Sequence, residues 1–201
     1  MGVSGKTGLV VIAHPDDEVL WCGGCILMHP DWRWRIVTLC RGSDPDRAPR
    51  FRSVLPRLNA SGAMGDLDDG PEQTPVTDAE IDDVVHALTA DLPRPDLLIT
   101  HGPHGEYTRH LRHEECHRAI VRACASQTLA PRTLWCFAYD DCGGRSCPAP
   151  DPDAPLRYRL SPRTYAAKRA LISGVYGFSA SSWEYRCAPR TEAFREWEAA
   201  S

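Results

Sequence analysis

The sequence predicts an α/β fold of the doubly wound, Rossmann-like type, with a mostly parallel sheet and helices on both faces. Two observations predict this fold class. Segments that are apolar throughout alternate with segments whose apolar residues recur at helical spacing. Strands without polar alternation are typical of parallel sheets covered on both faces, and their alternation with helices is the pattern of layered α/β folds.

The first hundred residues are predicted to contain four strands and three helices. The strands are predicted at Gly8–Ala13, Trp34–Cys40, Ala63–Leu67 and Leu97–Thr100. The helices between them are predicted at Glu18–Met28, Asp46–Ala60 and Thr77–Leu92. The last helix has the clearest start, because Thr77 and Glu80 have the spacing of a capping box ahead of an apolar face.

The second half of the chain is predicted to add a helix at Glu114–Ser126, a strand at Thr133–Tyr139 and a helix over 163–173. Residues 141–162 are rich in Gly, Pro and Asp, which predicts a long ordered loop or lid. A chain of 201 residues is long enough for one domain with a sizeable core and short for two. We therefore expect a single domain over residues 1–201.

Charge and hydropathy argue against two classes of partner. The formal net charge of −4 provides no basic surface for nucleic acid. No apolar run approaches the ~20 residues of a membrane span. The run Gly8–Ala13 is short and Pro15 follows it at once, which is unlike the core of a signal peptide. We expect a cytoplasmic protein that binds neither nucleic acid nor membrane.

The nine cysteines are expected to be free thiols rather than a disulfide framework, given the absence of a secretory signal. Cys22 and Cys25 have the spacing of a redox pair, but they lie in an apolar stretch just after three carboxylates. A reactive pair needs an electropositive, exposed helix start. Cys142 and Cys147 are close enough in sequence to form a disulfide or metal clip.

Titratable side chains follow three of the predicted strands at the point where each strand ends. The first strand is followed by His14, Asp16, Asp17 and Glu18. Residues 41–44 follow the second strand, and residues 101–113 follow the strand at 97–100. Because ligands bind outside the carboxyl ends of the strands in open α/β sheets, we expect these groups to meet in one crevice.

A metal site is the chemistry that this combination best supports. His14 and Asp17 are three positions apart on the predicted turn, so both can face one ion. His110 and His113 are also three apart and enter the next helix on one face. Two imidazoles and a carboxylate form an open site for catalytic Zn²⁺ and also suit Fe²⁺. A lone histidine pair is more often solvated or packed, and spacing alone does not decide which histidine would be the ligand.

Asp16 is the aspartate next to Asp17 that such a metal site would not use as a ligand. A carboxylate beside a metal-activated water is placed to act as a general base, although an acid after a strand is often only a helix N-cap. If His110 is not a ligand, its imidazole could polarise a substrate carbonyl or protonate a leaving nitrogen. Together these groups are what the hydrolysis of an amide requires.

Two motifs of the chain resemble those of a known enzyme family. AHPDDE (residues 13–18), followed by Gly23 and Gly24, resembles the signature of the PIG-L/LmbE-like zinc deacetylases. HGPHGEYTRHLRHEECHRAI (residues 101–120) is similar to that family's second motif, a Gly-Glu-Tyr stretch followed by HxxH. SDPDRAPRF and GDLDDG are also similar to segments of family members. The resemblance covers roughly residues 9–140 and implies an LmbE-like form of the predicted fold.

The resemblance implies a role for each residue of the two motifs. Zn²⁺ would be held by His14, Asp17 and His113. Asp16 would be the catalytic base, and His110 would assist the transition state. The family removes acyl groups, usually acetyl, from N-acetylated amino sugars and their conjugates. Its members often assemble into oligomers, so a homo-oligomer is a further expectation.

The chain also departs from the family pattern. Thr108 and Arg109 lengthen the spacing between Tyr107 and His110, and Leu111-Arg112 replaces a Pro-containing pair. The residues expected to contact the small-molecule substrate are Arg41, Asp44, Arg50, Tyr107 and Arg109. Asp68 and Asp69 are expected to form a polar turn, with contacts to sugar hydroxyls as the alternative. The aromatic residues of 176–197 are expected to pack the C-terminal segment rather than to stack on a sugar.

These observations predict a metal-dependent hydrolase that removes an acetyl or other acyl group from the nitrogen of an N-acetylated amino sugar or its conjugate. Two alternatives remain open at this point. One is an amidase of the same chemistry on a thiol-cofactor or antibiotic-pathway amide. The other is a non-catalytic metal- or sugar-binding module, although binding alone does not require a base at Asp16.

Overall fold

The computed structural model describes residues 5–107 and 110–197. The strands are β1 (Thr7–Ile12), β2 (Arg33–Cys40), β3 (Ala60–Leu67), β4 (Leu97–Thr100), β5 (Thr133–Phe137), β6 (Tyr139–Asp140), β7 (Ala149–Pro150), β8 (Leu156–Arg159) and β9 (Thr191–Glu196). The helices are α1 (Asp17–Met28), α2 (Arg47–Val54), α3 (Asp78–Thr89), α4 (Leu111–Ala125), α5 (Pro162–Gly174) and α6 (Trp183–Cys187). None of these helices is long and apolar enough to cross a lipid bilayer.

Seven strands form one sheet in the order β3-β2-β1-β4-β5-β9-β8. The strands from β3 to β5 are parallel, whereas β9 runs antiparallel to β5 and β8 antiparallel to β9. The chain adds β2 and β3 on one side of β1 and then β4 and β5 on the other, so the strand order reverses between β1 and β4. This topology confirms the predicted doubly wound, mostly parallel sheet.

Apolar side chains cover both faces of this sheet, as strands without polar alternation predict. On one face, Val10 and Ile12 of β1 belong to a core that includes residues of α1 and α5. On the other face, Leu9 and Val11 belong to a core that includes residues of α3 and α4. The alternation along β1 places helices on both sides and leaves the carboxyl ends of β1 and β4 as the open edge.

One predicted helix ends earlier in the structure than the sequence predicts, and another begins as predicted. The helix predicted at Asp46–Ala60 ends at Val54 and continues as a 3₁₀-helix over Leu55–Leu58. Asn59 then adopts a left-handed conformation with φ 51°, which releases the chain directly into β3. The start of α3 is as predicted, because Thr77 and Glu80 form the reciprocal hydrogen bonds of a capping box.

Helix α1 is fastened to the antiparallel end of the sheet by a buried carboxylate. Glu192 of β9 accepts hydrogen bonds from the main-chain N–H groups of Gly24 (2.7 Å) and Cys25 (2.6 Å) in the middle of α1. Lys168 of α5 completes the cluster, with its Nζ 2.7 Å from Glu192, and both charged side chains are fully buried. A β-carbon at Gly24 would lie 2.4 Å from Leu160, so this close approach requires glycine.

The segment predicted as a loop or lid over 141–162 is partly ordered into strands. Residues 149–150 form β7 of a two-stranded ribbon with β6, and β8 is the edge strand of the main sheet, so the loop prediction is wrong for those residues. The expectation of free thiols is also wrong for one pair, because a disulfide joins Cys147 to Cys187 at the end of α6. Cys142 is therefore not the partner of Cys147 and remains a free, exposed thiol.

Candidate metal centre

A cleft of about 390 Å³ opens where the strand order reverses, at the carboxyl ends of β1 and β4. This is the position at which open α/β sheets bind ligands. Its walls come from the turn after β1, the first turns of α1, the loops after β2 and β3, the start of α2, the segment before α4, and α6. The lining residues are His14, Pro15, Asp16, Asp17, Leu20, Arg41, Arg47, Asp69, Tyr107, His110, Trp183 and Glu184.

Three electron-pair donors converge at the base of this cleft. Nδ1 of His14 lies 3.2 Å from Oδ2 of Asp17 and 3.1 Å from Nε2 of His113. The third side of the triangle, from Nε2 of His113 to Oδ2 of Asp17, is 3.3 Å. Ligand atoms about 2.0–2.2 Å from a tetrahedral Zn²⁺ are separated by roughly these distances. The three donors therefore fit one divalent ion and leave an open coordination position.

Outer carboxylates hold both histidines in the tautomer that metal binding needs. Nε2 of His14 lies 3.0 Å from Oδ1 of Asp69, and Nδ1 of His113 lies 2.5 Å from Oε2 of Glu106. A proton on each of these outer nitrogens leaves the inner nitrogen of each ring with a lone pair facing the centre. Such carboxylate–histidine pairs are the usual support of metal ligands.

Asp17 remains ionised in this environment. Burial alone would raise the pKa of Asp17, but His113 and the other surrounding imidazoles outweigh burial and hold the pKa well below its usual range. Trp21 Nε1 donates a hydrogen bond of 3.0 Å to Oδ1, so the second carboxylate oxygen is occupied. Asp17 is thus positioned as a single-oxygen donor.

Asp16 lies beside the three donors on the strained turn between β1 and α1. Its φ of 117° is a conformation that side-chain-bearing residues rarely adopt. Glu18 holds this turn by accepting the Asp16 N–H at 3.0 Å, while Tyr176 donates its hydroxyl to the other oxygen of Glu18. Burial raises the pKa of Glu18 to about 7. The Asp16 carboxylate faces the cleft, where Arg47 contacts it at 3.2 Å.

His110 is the N-cap residue of α4 and lines the cleft, and its ring is not hydrogen-bonded to Asp17. Its ring centroid is 4.5 Å from that of His14 and 4.4 Å from that of His113. Burial and these two neighbouring rings lower the pKa of His110 to about 3, so its imidazole is neutral. Its buried Nδ1 has no hydrogen-bond partner among the described residues.

Two of the residues expected to contact substrate are engaged elsewhere. Asp44 accepts the N–H groups of residues 46 and 47, and so caps α2 rather than lining the cleft. Arg50 donates to the carbonyl oxygens of Val175 and Tyr176 and pairs with Asp46, also outside the cleft lining. The sequence motif places both residues near the site, but their side chains serve the packing around it.

Arg41 does line the cleft, and it links to the metal centre through Asp69. Arg41 donates to Oδ2 of Asp69 at 2.7 Å, while the other oxygen of Asp69 meets His14. Burial raises the pKa of Asp69, but His14 and Arg41 outweigh it and lower the pKa to about 2. Asp69 therefore contacts the candidate metal centre in addition to its place in the expected polar turn.

An aromatic corner forms the opposite wall of the cleft. The ring of Tyr107 lies 4.9 Å from that of Trp183 in an edge-to-face arrangement, and both residues line the cleft with Glu184. Trp183 packs against the core as expected, and α6 also brings it to the wall of the cleft. The predicted contact Arg109 lies outside the described residues.

The fold and the site together define a class: doubly wound α/β proteins with a candidate three-donor metal site at the strand reversal. No protein-family profile and no curated protein sequence matches the chain. Several solved structures, in contrast, have a similar fold. The A40926 pseudoaglycone deacetylase Dbv21 matches with a TM-score of 0.66 and 15% identity, over 98% of this chain and 99% of the other.

Two further solved structures match over almost the whole chain. A deacetylase of teicoplanin biosynthesis, in complex with teicoplanin, matches with a TM-score of 0.64 and 13% identity, over 96% of this chain and 100% of the other. GalB, the 4-carboxy-2-hydroxymuconate hydratase of Pseudomonas putida KT2440, matches with a TM-score of 0.61 and 14% identity, over 98% of each chain. The chain thus has the fold of the LmbE/PIG-L-type deacetylases. Because a hydratase has this fold too, the reaction must be argued from the site.

Proposed function

We propose that the protein is a metal-dependent hydrolase of the PIG-L/LmbE-like type that removes an acetyl or other acyl group from the nitrogen of an N-acetylated amino sugar or its conjugate. The AHPDDE and HxxH motifs and the deacetylase-like fold support this proposal. The observation that carries it is the triangle of His14, Asp17 and His113, with the carboxylate of Asp16 beside it in an open cleft.

The chemistry of the donors favours Zn²⁺, with Fe²⁺ as the alternative. Two imidazole nitrogens and one carboxylate oxygen with an open position are the usual set of catalytic zinc sites, and ferrous iron accepts the same donors. His14, Asp17 and His113 would hold the ion. When bound, such an ion acidifies water and polarises an acyl carbonyl.

The side chains of the cleft provide a proton carrier and an oxyanion contact for amide hydrolysis. Asp16 accepts a proton from the attacking water and returns it to the nitrogen as the C–N bond breaks, which gives the free amine and acetate. The neutral imidazole of His110 can donate a hydrogen bond to the oxyanion that develops on the carbonyl oxygen. With a pKa near 3, it is a poor candidate for protonating the amine, so Asp16 is the proton carrier in this proposal.

The cleft walls suit a compact substrate with an apolar face and several polar groups. Trp183 and Tyr107 offer aromatic surface, and Arg41, Arg47 and Glu184 offer polar contacts around them. A volume of about 390 Å³ lies at the small end of ligand sites, which span roughly 300–1,000 Å³. We propose Arg41 and Tyr107 as substrate contacts, joined by Arg47, Trp183 and Glu184.

Acetate release from purified protein tests the proposed function. The protein is loaded with Zn²⁺ or Fe²⁺ and given a panel of N-acetylated amino sugars and conjugates, N-acyl amides of thiol compounds, and an unsaturated hydroxy acid as a hydratase substrate. Acetate from the sugars, abolished by a chelator and restored by metal, is the expected result. Turnover of the thiol amides instead would favour the amidase alternative, and hydration of the unsaturated acid would overturn hydrolysis. Metal or sugar binding without any turnover would leave a binding module.

The expectations on assembly and location are also carried forward as proposals. We propose a cytoplasmic protein that acts on a small molecule, binds neither nucleic acid nor membrane, and assembles with further copies of itself. Light scattering of the purified protein measures the assembly. A monomeric mass at micromolar concentration would overturn it.

A further inference from the structure

We propose that Glu106 is the positioning residue of the metal centre: its carboxylate sets the tautomer of His113 and, through His101, ties the tip of β4 to the tip of β1. The inference rests on the proposed function in one respect only, the metal site. Glu106 itself is not one of the residues that line the cleft.

Within the described residues, the hydrogen bonds of the Glu106 carboxylate are directed into the protein. Oε2 accepts from Nδ1 of His101 at 2.7 Å and from Nδ1 of His113 at 2.5 Å. Oε1 accepts the main-chain N–H of Gly102 at 3.0 Å. The side chain is 1% exposed. Three N–H groups around one carboxylate stabilise its ionised form.

An ionised acceptor at this position excludes the wrong tautomer of His113. If the proton of His113 moved to Nε2, the Glu106 carboxylate would face a bare nitrogen lone pair across 2.5 Å. The same proton would also occupy the Nε2 lone pair in the donor triangle, where Nδ1 of His14 is 3.1 Å away, and Nε2 could then no longer bind an ion. The Glu106 contact disfavours that state, so Glu106 keeps the Nε2 lone pair available to an ion.

His101 extends this support to the other half of the site. Its Nε2 accepts the main-chain N–H of Ala13 at 2.9 Å, and Ala13 immediately precedes the ligand His14. The His101 ring also stacks on that of His113, with 3.8 Å between centroids and 25° between planes. Although Nε2 of His101 is 3.5 Å from Asp17, its lone pair is used by Ala13, so His101 acts as a brace rather than a fourth ligand.

A matched pair of variants tests this role. Glu106→Gln retains the size of the side chain but gives it an amide N–H that can donate a hydrogen bond to an unprotonated Nδ1 of His113 and so favour the wrong tautomer. Glu115→Gln is the control. It alters a second buried carboxylate (3% exposed), on α4, which pairs with Arg112 and accepts the N–H of Val76 rather than contacting a proposed metal ligand. Zn²⁺ affinity is measured by competition with a chromogenic chelator, and unfolding of the metal-free forms controls for stability.

We expect Glu106→Gln to weaken Zn²⁺ binding by about 10- to 100-fold and Glu115→Gln to leave it within about twofold of the wild type. Equal affinity in the wild type and Glu106→Gln would overturn the inference. Failure of the wild type to bind Zn²⁺ would instead overturn the metal centre of the proposed function. If Glu106→Gln does not fold, Glu106→Asp is measured in its place, since its shorter carboxylate cannot reach both rings; wild-type affinity in that variant overturns the inference as well.

A second readout follows the proton itself and does not require activity. Long-range ¹H–¹⁵N spectra of protein labelled at histidine nitrogens distinguish the two neutral tautomers. The spectra are recorded on metal-free protein, because an ion bound to Nε2 would itself fix the proton of His113 on Nδ1. In the metal-free wild type we expect His113 and His101 to carry their protons on Nδ1. In metal-free Glu106→Gln we expect the His113 pattern to change while His29, outside the site, keeps its own. An unchanged His113 tautomer would show that Glu106 serves packing only.

Discussion

At the scale of single residues, the site depends on a backbone turn that an isolated chain avoids. The φ of 117° at Asp16 belongs to a region that costs a residue with a side chain about 1–3 kcal/mol. The buried pair of Glu18 and Tyr176 restrains this turn through the Asp16 N–H. The strain is thus maintained by the packing of α1 against the segment after α5, and it aims the Asp16 carboxylate into the cleft.

We predict that Asp16→Asn lowers turnover by about 10²- to 10⁴-fold while the protein keeps its metal, because the amide cannot accept a proton from water. Turnover is measured as acetate release, and metal content by elemental analysis. Asp68→Asn is the control, since Asp68 is an exposed neighbour of Asp69 outside the cleft lining. Full activity in Asp16→Asn would remove the proposed base.

Residues with a local motif could be assigned from the sequence, and residues that act through tertiary contacts could not. His14, Asp17 and His113 follow strand ends or open a helix, and the structure brings the three together. Asp69 and Glu106, which orient the two histidines, lie in loops whose approach to the site depends on the packing of neighbouring strands. The position of Glu106 beside Tyr107 in the second motif was the one sequence signal available for it.

At the scale of elements, Gly23 and Gly24 of α1 differ in how closely neighbouring side chains approach them. A β-carbon at Gly24 would lie 2.4–2.5 Å from the methyl groups of buried Leu160 and 2.9 Å from Oε1 of Glu192. The nearest atom to a β-carbon at Gly23 is 3.4 Å away, which is ordinary contact. The two positions therefore respond oppositely to the same added methyl group.

We predict that Gly24→Ala lowers the free energy of unfolding by about 1–3 kcal/mol, through overpacking against Leu160. Gly23→Ala is expected to leave stability unchanged or raise it by up to about 1 kcal/mol, because alanine favours the helix. Denaturant unfolding of the metal-free proteins measures both. A Gly24→Ala protein as stable as Gly23→Ala would contradict the close approach of Leu160 to α1.

The disulfide anchors the short helix that carries one wall of the cleft. Cys187 is the last residue of α6, and Trp183 and Glu184 at the start of that helix line the cleft. Its partner Cys147 is 40 residues earlier in the chain, in the exposed segment between β6 and β7. This covalent link therefore connects a surface loop to the aromatic corner.

We predict that Cys147→Ser lowers the stability of the oxidised protein by up to about 4 kcal/mol, the loop-closure value for a link of this span. Cys142→Ser alters an exposed free thiol and is expected to have no effect. Thermal unfolding with and without dithiothreitol measures both variants. A wild type whose unfolding is indifferent to dithiothreitol would argue against the bond.

At the scale of the whole molecule, the parallel part of the fold was more predictable than its antiparallel end. Apolar runs and capping signals predict β1 to β5 and α3 because their causes lie within a few residues. β8 lies among prolines and aspartates, and β9 contains the buried Glu192, so neither resembles a central strand in isolation. Their assignment depends on pairing with each other and on Lys168, which no local pattern shows.

We predict that removal of the metal lowers the melting temperature, because the proposed ligands join the tip of β1 to α4 and the native state alone presents all three. A free metal concentration 100-fold above the dissociation constant contributes about 2.7 kcal/mol of stability. Calorimetry with and without chelator measures the loss. His113→Ala is expected to lose the metal and to become insensitive to the chelator, whereas His117→Ala should remain sensitive. A chelator-sensitive His113→Ala protein would place the ion elsewhere.

The Cys147–Cys187 bond also makes the protein sensitive to the redox state of the compartment in which it folds. A cytosol kept reducing by glutathione would leave both sulfur atoms as thiols, whereas an oxidising compartment would seal them. Rapid alkylation of intact cells followed by peptide mass spectrometry would therefore reveal where the chain matures. Preparations made with and without a thiol reductant would differ in how firmly Trp183 is held in the wall of the cleft. Substrates should therefore be compared in preparations whose reductant concentration is recorded.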